Sequence, residues 1–481
     1  MNILLLGADQ MRFDSVSALG MANCARTPAL DALASRGTLF ENAYTTCPLC
    51  SPARASLFTG QHAFHHRMCT NCDMYQPVTY TLERPRELLH NRLLERGWTC
   101  HYEGKWHVCT DAGPVDLGFE GMNSRSYGSF STSPDFLAYL RDHGYARKIA
   151  DPIYFNAPEQ TMGAGIWDGP VESTPEYYLA QRTIDALTEC AGRNKPFFLT
   201  CQFWGPHMPH LPPRDYLGFN DRERIVPWEN MDDDLAGKAA IIRRELDFYR
   251  QMPESWAQWR EIIGRYLDFT SFIDSQLGRI LDALDRLGLR EDTLVFFESD
   301  HGDMTGAHGG SLDKGFLYEE SMRVPMIAAG PGIPASVRAK ELVYNMDILP
   351  TALDMAGIPV PETVDARSLK PLFTGGYTPR ERIYLEFHGL RFLYSQRAIV
   401  TAEGMKYIHS AGDFDEVYDL RTDPWETRSV IDDPTYADRV EDLRQQLMAE
   451  AADTHDPLAN YICKIFGHWD HRAVSNWLPT V

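Results

Sequence analysis

Short clusters in this chain carry side chains that do chemistry. Cys50-Ser51-Pro52-Ala53-Arg54 sets a thiol at the expected start of a helix, with a guanidinium one turn along. Proline suits a first helical turn, Gly60 a stop, and a helix N-terminus favours a reactive thiol. Asp9-Gln10 and Asp300-His301-Gly302-Asp303 each follow an apolar run. Carboxylates converging with the Gln10 amide oxygen suit a hard divalent cation, and Gly302 permits close backbone approach to a ligand. Lys105 and His107 alternate, so on an extended segment they pair an oxyanion holder with a proton carrier on one side. His207 and His210 share a proline-rich loop, where either serves to protonate a leaving group or to brace the loop. Lys314 follows Asp313 in a polar loop.

Each cluster has a plainer explanation when taken alone. Asp9 reads as a helix cap, His301 as a hydrogen-bonded structural residue, Lys105 as a snorkelling lysine beside an anchoring Trp106, and Asp313 as a turn residue. Cys47, Cys50, Cys69 and Cys72 also spell C-x2-C-x18-C-x2-C, the spacing of a structural zinc site. A zinc knuckle wants a turn where this chain instead opens a helix at Cys50, which favours a separate use for that thiol.

The elements that must position these groups alternate. Apolar runs at Asn2–Gly7, Thr99–Glu103, Pro196–Phe203 and Thr293–Ser299 each lead into one of the clusters. Between them lie helical patterns: Thr27 as a cap ahead of Pro28, Leu88/Leu89/Leu93/Leu94, and a long stripe from Phe269 to Leu284 that reads as core. Strands alternating with helices predict a largely parallel sheet whose ligands sit beyond the strands' carboxyl ends, so the clusters should face one crevice. The expected fold is α/β, a large mixed, mostly parallel sheet sandwiched by helices over residues 1–375. Aromatic, Pro-rich and acidic insertions fall around 140–260, at the rim of the crevice. After Gly375-Gly376, strands at Arg382–Phe387 and Gln396–Thr401 and a helix through Val440, Leu443, Leu447 and Ala451 predict a smaller α+β domain, residues 376–481.

Composition bounds the partners. The 481 residues are 44% hydrophobic and 23% charged, which is globular usage, with 46 Lys+Arg against 67 Asp+Glu and net charge −21. That acidity argues against nucleic acid or an anionic membrane surface, and any anion site must be built locally. No basic leader and no apolar run of membrane-spanning length is evident, and ten scattered cysteines read as mostly free thiols. A cytoplasmic enzyme is expected.

With these residues placed, the chain resembles the type I sulfatases of the alkaline phosphatase superfamily. Cys50-Ser51-Pro52-Ala53-Arg54…Leu57-Phe58-Thr59-Gly60 is similar to their first motif, whose C-x-P-x-R core directs oxidation of the cysteine to formylglycine. Gly97-Trp98-Thr99…Gly104-Lys105-Trp106-His107 is similar to their second. Thr27-Pro28…Leu30-Asp31, Pro206-His207, Asp300-His301-Gly302, Lys314, Arg323-Val324-Pro325 and Tyr418-Asp419-Leu420…Asp423-Pro424…Glu426 follow in the family's order. The resemblance implies an alkaline phosphatase-like fold and a Cys50 aldehyde, made by a formylglycine-generating enzyme and hydrated to a geminal diol. One diol oxygen would attack sulfur while a divalent cation, held by Asp9, Gln10, Asp300, His301 and the modified Cys50, neutralises charge. Arg54 would hold the diol, Lys105 and Lys314 the sulfate oxygens; His207 would protonate the departing alcohol, and His107 would take a proton to release sulfate.

Two departures qualify the resemblance. Many sulfatases have two consecutive aspartates at Asp9-Gln10 and Asn at His301; Gln10 and His301 are instead similar to the phosphonate monoester and phosphodiester hydrolases of the superfamily. Asn71 falls near a polar position those enzymes use, and Asn71 and His210 are expected to contact substrate. Lys105-Trp106-His107 is the sulfatase form, so sulfate-ester hydrolysis is the first expectation and phosphonate or phosphodiester hydrolysis the alternative. A non-catalytic zinc protein is the third. The metal is expected to be calcium, with manganese or magnesium as alternatives. A small-molecule ester is the expected substrate, and the insertions near 140–260 would cup an aryl ring, a sugar or a cationic alcohol alike, which the sequence does not separate. The apolar tail around Tyr461, Ile465, Phe466, Trp469, Trp477 and Leu478 would suit a homo-oligomer contact.

Overall fold

The computed structural model describes residues 1–74, 82, 88–128, 130–155, 161–193, 195–248, 253 and 255–459. Its strands are β1 (Asn2–Asp9), β2 (Gly37–Tyr44), β3 (Thr99–Gly104), β4 (Glu120–Gly121), β5 (Ile149–Tyr154), β6 (Met162–Trp167) and β7 (Phe197–Pro206). They continue as β8 (Thr293–Ser299), β9 (Met326–Ala329), β10 (Val337–Tyr344), β11 (Arg382–Phe387), β12 (Gln396–Thr401), β13 (Met405–Ser410) and β14 (Glu416–Asp419). Eight form one sheet in the order β10-β2-β9-β8-β1-β7-β3-β4. Only β9 runs against its neighbours, so the sheet is mixed and mostly parallel, as the alternating pattern predicts.

β1 shows why. Its sequence Asn-Ile-Leu-Leu-Leu-Gly-Ala-Asp is buried throughout, the mark of a strand covered on both faces. Side chains alternate across a strand, and here Ile3 and Leu5 join one apolar cluster while Leu4 and Leu6 join another. The Cys50–Thr59 helix covers the first face through Ala55, Leu57 and Phe58. The Pro28–Ser35, Pro175–Gly192 and Trp256–Arg286 helices cover the second, where the stripe from Phe269 to Leu284 is core as expected. Thr27 does not cap its helix with its side chain. Asp274 reaches over from the long helix to accept from the Ala29 and Leu30 N–H groups at 3.0 and 2.9 Å, so the cap is tertiary and invisible to a local pattern.

The second unit is the antiparallel sheet β11-β12-β13-β14 with the Ala437–Asp453 helix on one face. Tyr384, Ile399, Tyr407 and Val417 pack with Val440, Leu443 and Leu447, while Ile383, Leu385, Ala398, Val400 and Ile408 on the opposite face join the core of the main body. Arg397 and Asp456 form a buried ion pair there, 2% and 0% exposed, at 2.5 Å. Removing one charge strands the other, so Arg397→Met is expected to cost about 3–5 kcal/mol. A lower urea midpoint, largely recovered by adding Asp456→Asn, is the check; an unmoved midpoint contradicts it.

Among the described residues no helix is long and apolar enough to cross a membrane. The insertions contribute the two-stranded β5–β6 unit, which lies beside the proline-rich loop through bridges from Ala164 to His210 and Trp167 to Pro213. The tail residues expected to form a subunit contact lie outside the described residues.

Candidate active site

Four neighbouring strands of the sheet, β8, β1, β7 and β3, run parallel and end on one edge. Asp9 closes β1, Asp300 and His301 follow β8, Lys105 and His107 follow β3, and His207 follows β7. The crevice expected from four unrelated strand ends therefore exists. Cys50, first residue of its helix, points into it. No side chain of the helix's own N-cap residue, Leu49, satisfies the first turn; the Asn71 amide oxygen accepts from the Ser51 N–H at 3.0 Å instead.

One ligand atom each from Asp9, Cys50, Asp300 and His301 lies within 4.8 Å of the others, and all four residues are buried. Cys50 Sγ is 3.1 Å from His301 Nε2 and 3.9 Å from Asp9 Oδ1, while His301 Nε2 is 3.8 Å from Asp9 Oδ1 and from Asp300 Oδ1. Two carboxylates with an imidazole converging on one buried point fit a divalent cation. Gln10 follows Asp9, and its backbone N–H donates to Asp300 at 3.1 Å. Its backbone takes a left-handed φ of 64°, and its amide nitrogen donates to Asp303 at 2.6 Å and to Asp313 at 3.2 Å. Its oxygen accepts from Lys314 Nζ at 2.9 Å, which makes Gln10 a holder of Lys314 in this arrangement.

The cations fold onto this cluster. Lys105 Nζ pairs with Asp9, and Arg54 reaches Asp300 at 2.9 Å and Asp9 at 3.4 Å, every partner being at most 1% exposed. Burial opposes the charged forms, but the carboxylates raise Arg54 and Lys105 above their usual values and the same pairs hold Asp9 down. Burial likewise opposes the Cys50 thiolate, yet Lys105, Lys314 and His301 bring it well below the ordinary thiol range. Arg54 and Lys105 already balance Asp9 and Asp300, so a bound divalent ion would leave the site positive. That local surplus admits an anion into a protein of net charge −21. Elemental analysis is expected to find about one divalent ion per chain, lost in Asp300→Asn. A variant that keeps its full metal content would refute the assignment.

Lys105 is fully buried rather than snorkelling, and Trp106 is the anchor, packed against Phe58, Tyr102 and Phe119. The two residues after Lys105 do not continue as a strand: His107 is left-handed at φ 55° and sends Nε2 to Asp73 at 3.1 Å. Gly104 makes the turn-off possible, because at φ +107° any Cβ would lie 2.0 Å from the Gln202 carbonyl oxygen. Gly302 likewise allows close approach, but to the Glu320 carbonyl oxygen, 1.9 Å from a Cβ position, rather than to a ligand.

Tyr127 joins what alternation alone did not. Lys105 Nζ lies 4.2 Å above its ring, and the His107 and His207 rings lie 5.3 and 5.6 Å away. Burial opposes His107's charged form, but hydrogen bonding to Asp73, Cys50 and Cys72 lifts it to about 10. Two of those three partners are thiols, so that value belongs to the unmodified protein. His207 Nδ1 faces the Met208 carbonyl at 2.6 Å, which leaves Nε2 to accept from Lys314 Nζ at 2.6 Å. Lys314, 4% exposed at its side chain, also lies 3.4 Å from Asp313, which Arg391 grips at 2.7 Å. Asp313 is thus part of a buried charge chain, not simply a turn. His210 turns Nδ1 to the Pro206 carbonyl at 2.8 Å and braces the loop that carries His207.

The zinc reading fails on geometry. Among the described residues the four thiols do not meet: Cys50 lies with Asp9, Asp300 and His301, Cys72 with Asp73 and His107, and nine cysteines are free thiols. Asp73 and Tyr127 were not read as site residues in the sequence, since each reaches the cluster from an irregular segment.

The sulfatase family model matches residues 1–358, and the model described as N-sulphoglucosamine sulphohydrolase, C-terminal, matches residues 306–453. Among curated proteins the chain is 30% identical to the choline-sulfatase of Rhizobium meliloti over 90% of this chain and 83% of that one. It is 29% identical to an arylsulfatase of Clostridium perfringens, covering 93% and 94%. Among solved structures it is similar to the phosphonate monoester hydrolase of Agrobacterium radiobacter, with TM-score 0.77, 27% identity and coverage of 94% and 96%. The charged crevice at the ends of β8, β1, β7 and β3 is that of a sulfuric ester hydrolase, and the chain belongs to the sulfatase family of the alkaline phosphatase superfamily.

Proposed function

We propose that the protein hydrolyses the sulfate ester of a small alcohol, with formylglycine made from Cys50 as nucleophile. The observation that carries this reading is the enclosure of Cys50 by the acids and imidazole of Asp9, Asp300 and His301 together with the cations Arg54, Lys105 and Lys314. Asp9, Asp300 and His301 would hold the cation, calcium before manganese or magnesium, which when bound supplies Lewis-acid neutralisation of developing oxyanion charge. Formylglycine supplies, as its hydrate, a second hydroxyl that lets sulfate leave by elimination, which a thiol or serine lacks.

The chain's own residues do the rest. Lys105 and Lys314 hold the sulfate oxygens, and Arg54 orients the modified residue from one helical turn away. His207, its Nδ1 fixed by the Met208 carbonyl, presents Nε2 beside Lys314 and, as the imidazolium, delivers the Nε2 proton to the departing alkoxide. His107, steered by Asp73, takes the proton from the remaining hydroxyl. Tyr127 walls off solvent beside all three.

A second reading, phosphonate monoester or phosphodiester hydrolysis on the same site, is favoured by His301 in the metal cluster and by the Agrobacterium likeness. A paired rate assay on an aryl sulfate and an aryl phosphonate monoester separates them, using protein co-expressed with a formylglycine-generating enzyme. Faster sulfate turnover supports the first reading; faster phosphonate turnover replaces it with the second.

A further inference from the structure

The cavity that opens beside His207 has a chemistry of its own. It encloses about 230 Å³ and is walled by Tyr127, Trp167, Trp204, Phe269, Met162 and Met208. The Trp167 indole N–H is engaged by Ser173 Oγ at 2.9 Å and that of Trp204 by the Tyr127 carbonyl at 3.0 Å. Both rings therefore offer the cavity π and carbon surface rather than donors. Into this apolar setting the Pro175–Gly192 helix sets Glu176, only 7% exposed. Burial pushes its carboxyl up to about 7, and its own backbone N–H is the one influence opposing that, with no cation contributing.

A carboxylate buried among aromatic rings without a cation is costly, and it becomes favourable when a cation enters. The faces of Trp and Tyr attract the same kind of ligand. Tyr127 and His207 belong both to this cavity and to the catalytic cluster, so the space continues from the position of the departing oxygen. Building on the sulfatase reading, we propose that this cavity receives the alcohol part of the ester and selects one bearing an ammonium group, held by Glu176 and the aromatic walls. Its volume lies below the ~300 Å³ at which pockets for drug-sized ligands begin, which suits a small alkylammonium alcohol. A larger cleft of 540 Å³ near Asn23, Arg26 and Phe219 contains none of the catalytic residues. Arg147, exposed at the rim, is the opposing charge in the lining and would favour an anionic alcohol.

Choline, its neutral isostere 3,3-dimethylbutan-1-ol and the anion 3,3-dimethylbutanoate serve as probes, each as an inhibitor of aryl-ester turnover by the formylglycine-bearing enzyme. Choline is expected to compete with substrate about 10–30-fold more strongly than the isostere, and Glu176→Gln to bring that ratio to within about twofold. A helix-terminal carboxylate with only a structural role would leave the ratio unmoved. Equal inhibition by choline and isostere in the unmutated enzyme overturns the proposal with no variant needed. So does stronger inhibition by the anion, or a ratio that survives in Glu176→Gln. Failure of the sulfatase reading shows separately, in which aryl ester is turned over, because the inhibitor ratio is read against either one.

Discussion

Cys50→Ala is expected to give a folded protein whose sulfate-ester turnover falls by at least about 10⁴-fold, the scale on which removing a nucleophile acts. Cys50 is fully buried, but it sits at the first turn of a helix whose core contacts are made by Ala55, Leu57 and Phe58. The turn is capped by Asn71, not by Cys50 itself. Alanine removes one sulfur atom from a polar pocket and leaves the apolar face of the helix untouched. Circular dichroism and the urea midpoint should therefore match the unmutated chain while product formation vanishes. Unfolding of the variant, or retained turnover, would remove Cys50 from the active site.

The second large effect concerns Lys105. Its ammonium is wholly enclosed between Asp9 and the Tyr127 ring, where a charge acts through little water. Lys105→Ala is expected to lower kcat/KM for an aryl sulfate by about 10²–10³, as loss of one preorganised charge does at a developing oxyanion. The loss for an aryl phosphonate monoester should be smaller. A sulfate monoester presents three non-bridging oxygens to the cations, whereas a phosphonate monoester presents two and a carbon substituent. Equal losses on the two substrates would take away the reason for reading Lys105-Trp106-His107 as a sulfate-selective element.

The parts of the site legible in the sequence were those written by strand ends. Asp9, Lys105, His207 and Asp300 each follow an apolar run, and a parallel sheet must bring such ends to one edge. Cys50 and Arg54 were legible because one helical turn separates them. Periodicity says nothing about loops. Tyr127 and Asp73 reach the cluster from irregular segments, and Glu176 looks like an ordinary first-turn acid until tertiary structure buries it. Gln10 shows the same limit. Its position beside Asp9 was plain, but a left-handed backbone turns its amide toward Asp303, Asp313 and Lys314. The Thr27 helix repeats the lesson, since its cap comes from Asp274, far along the chain.

The complete burial of Cys50 sets a clock on the life of the protein. On the proposed reading, a maturation enzyme would need access to Cys50-Ser51-Pro52-Ala53-Arg54. In the folded chain those five residues are helical and buried. On that reading, modification would have to come before this helix is buried. A preparation would then hold modified and unmodified copies of one fold. Its specific activity would then record the conditions of synthesis as well as the catalytic power of the site.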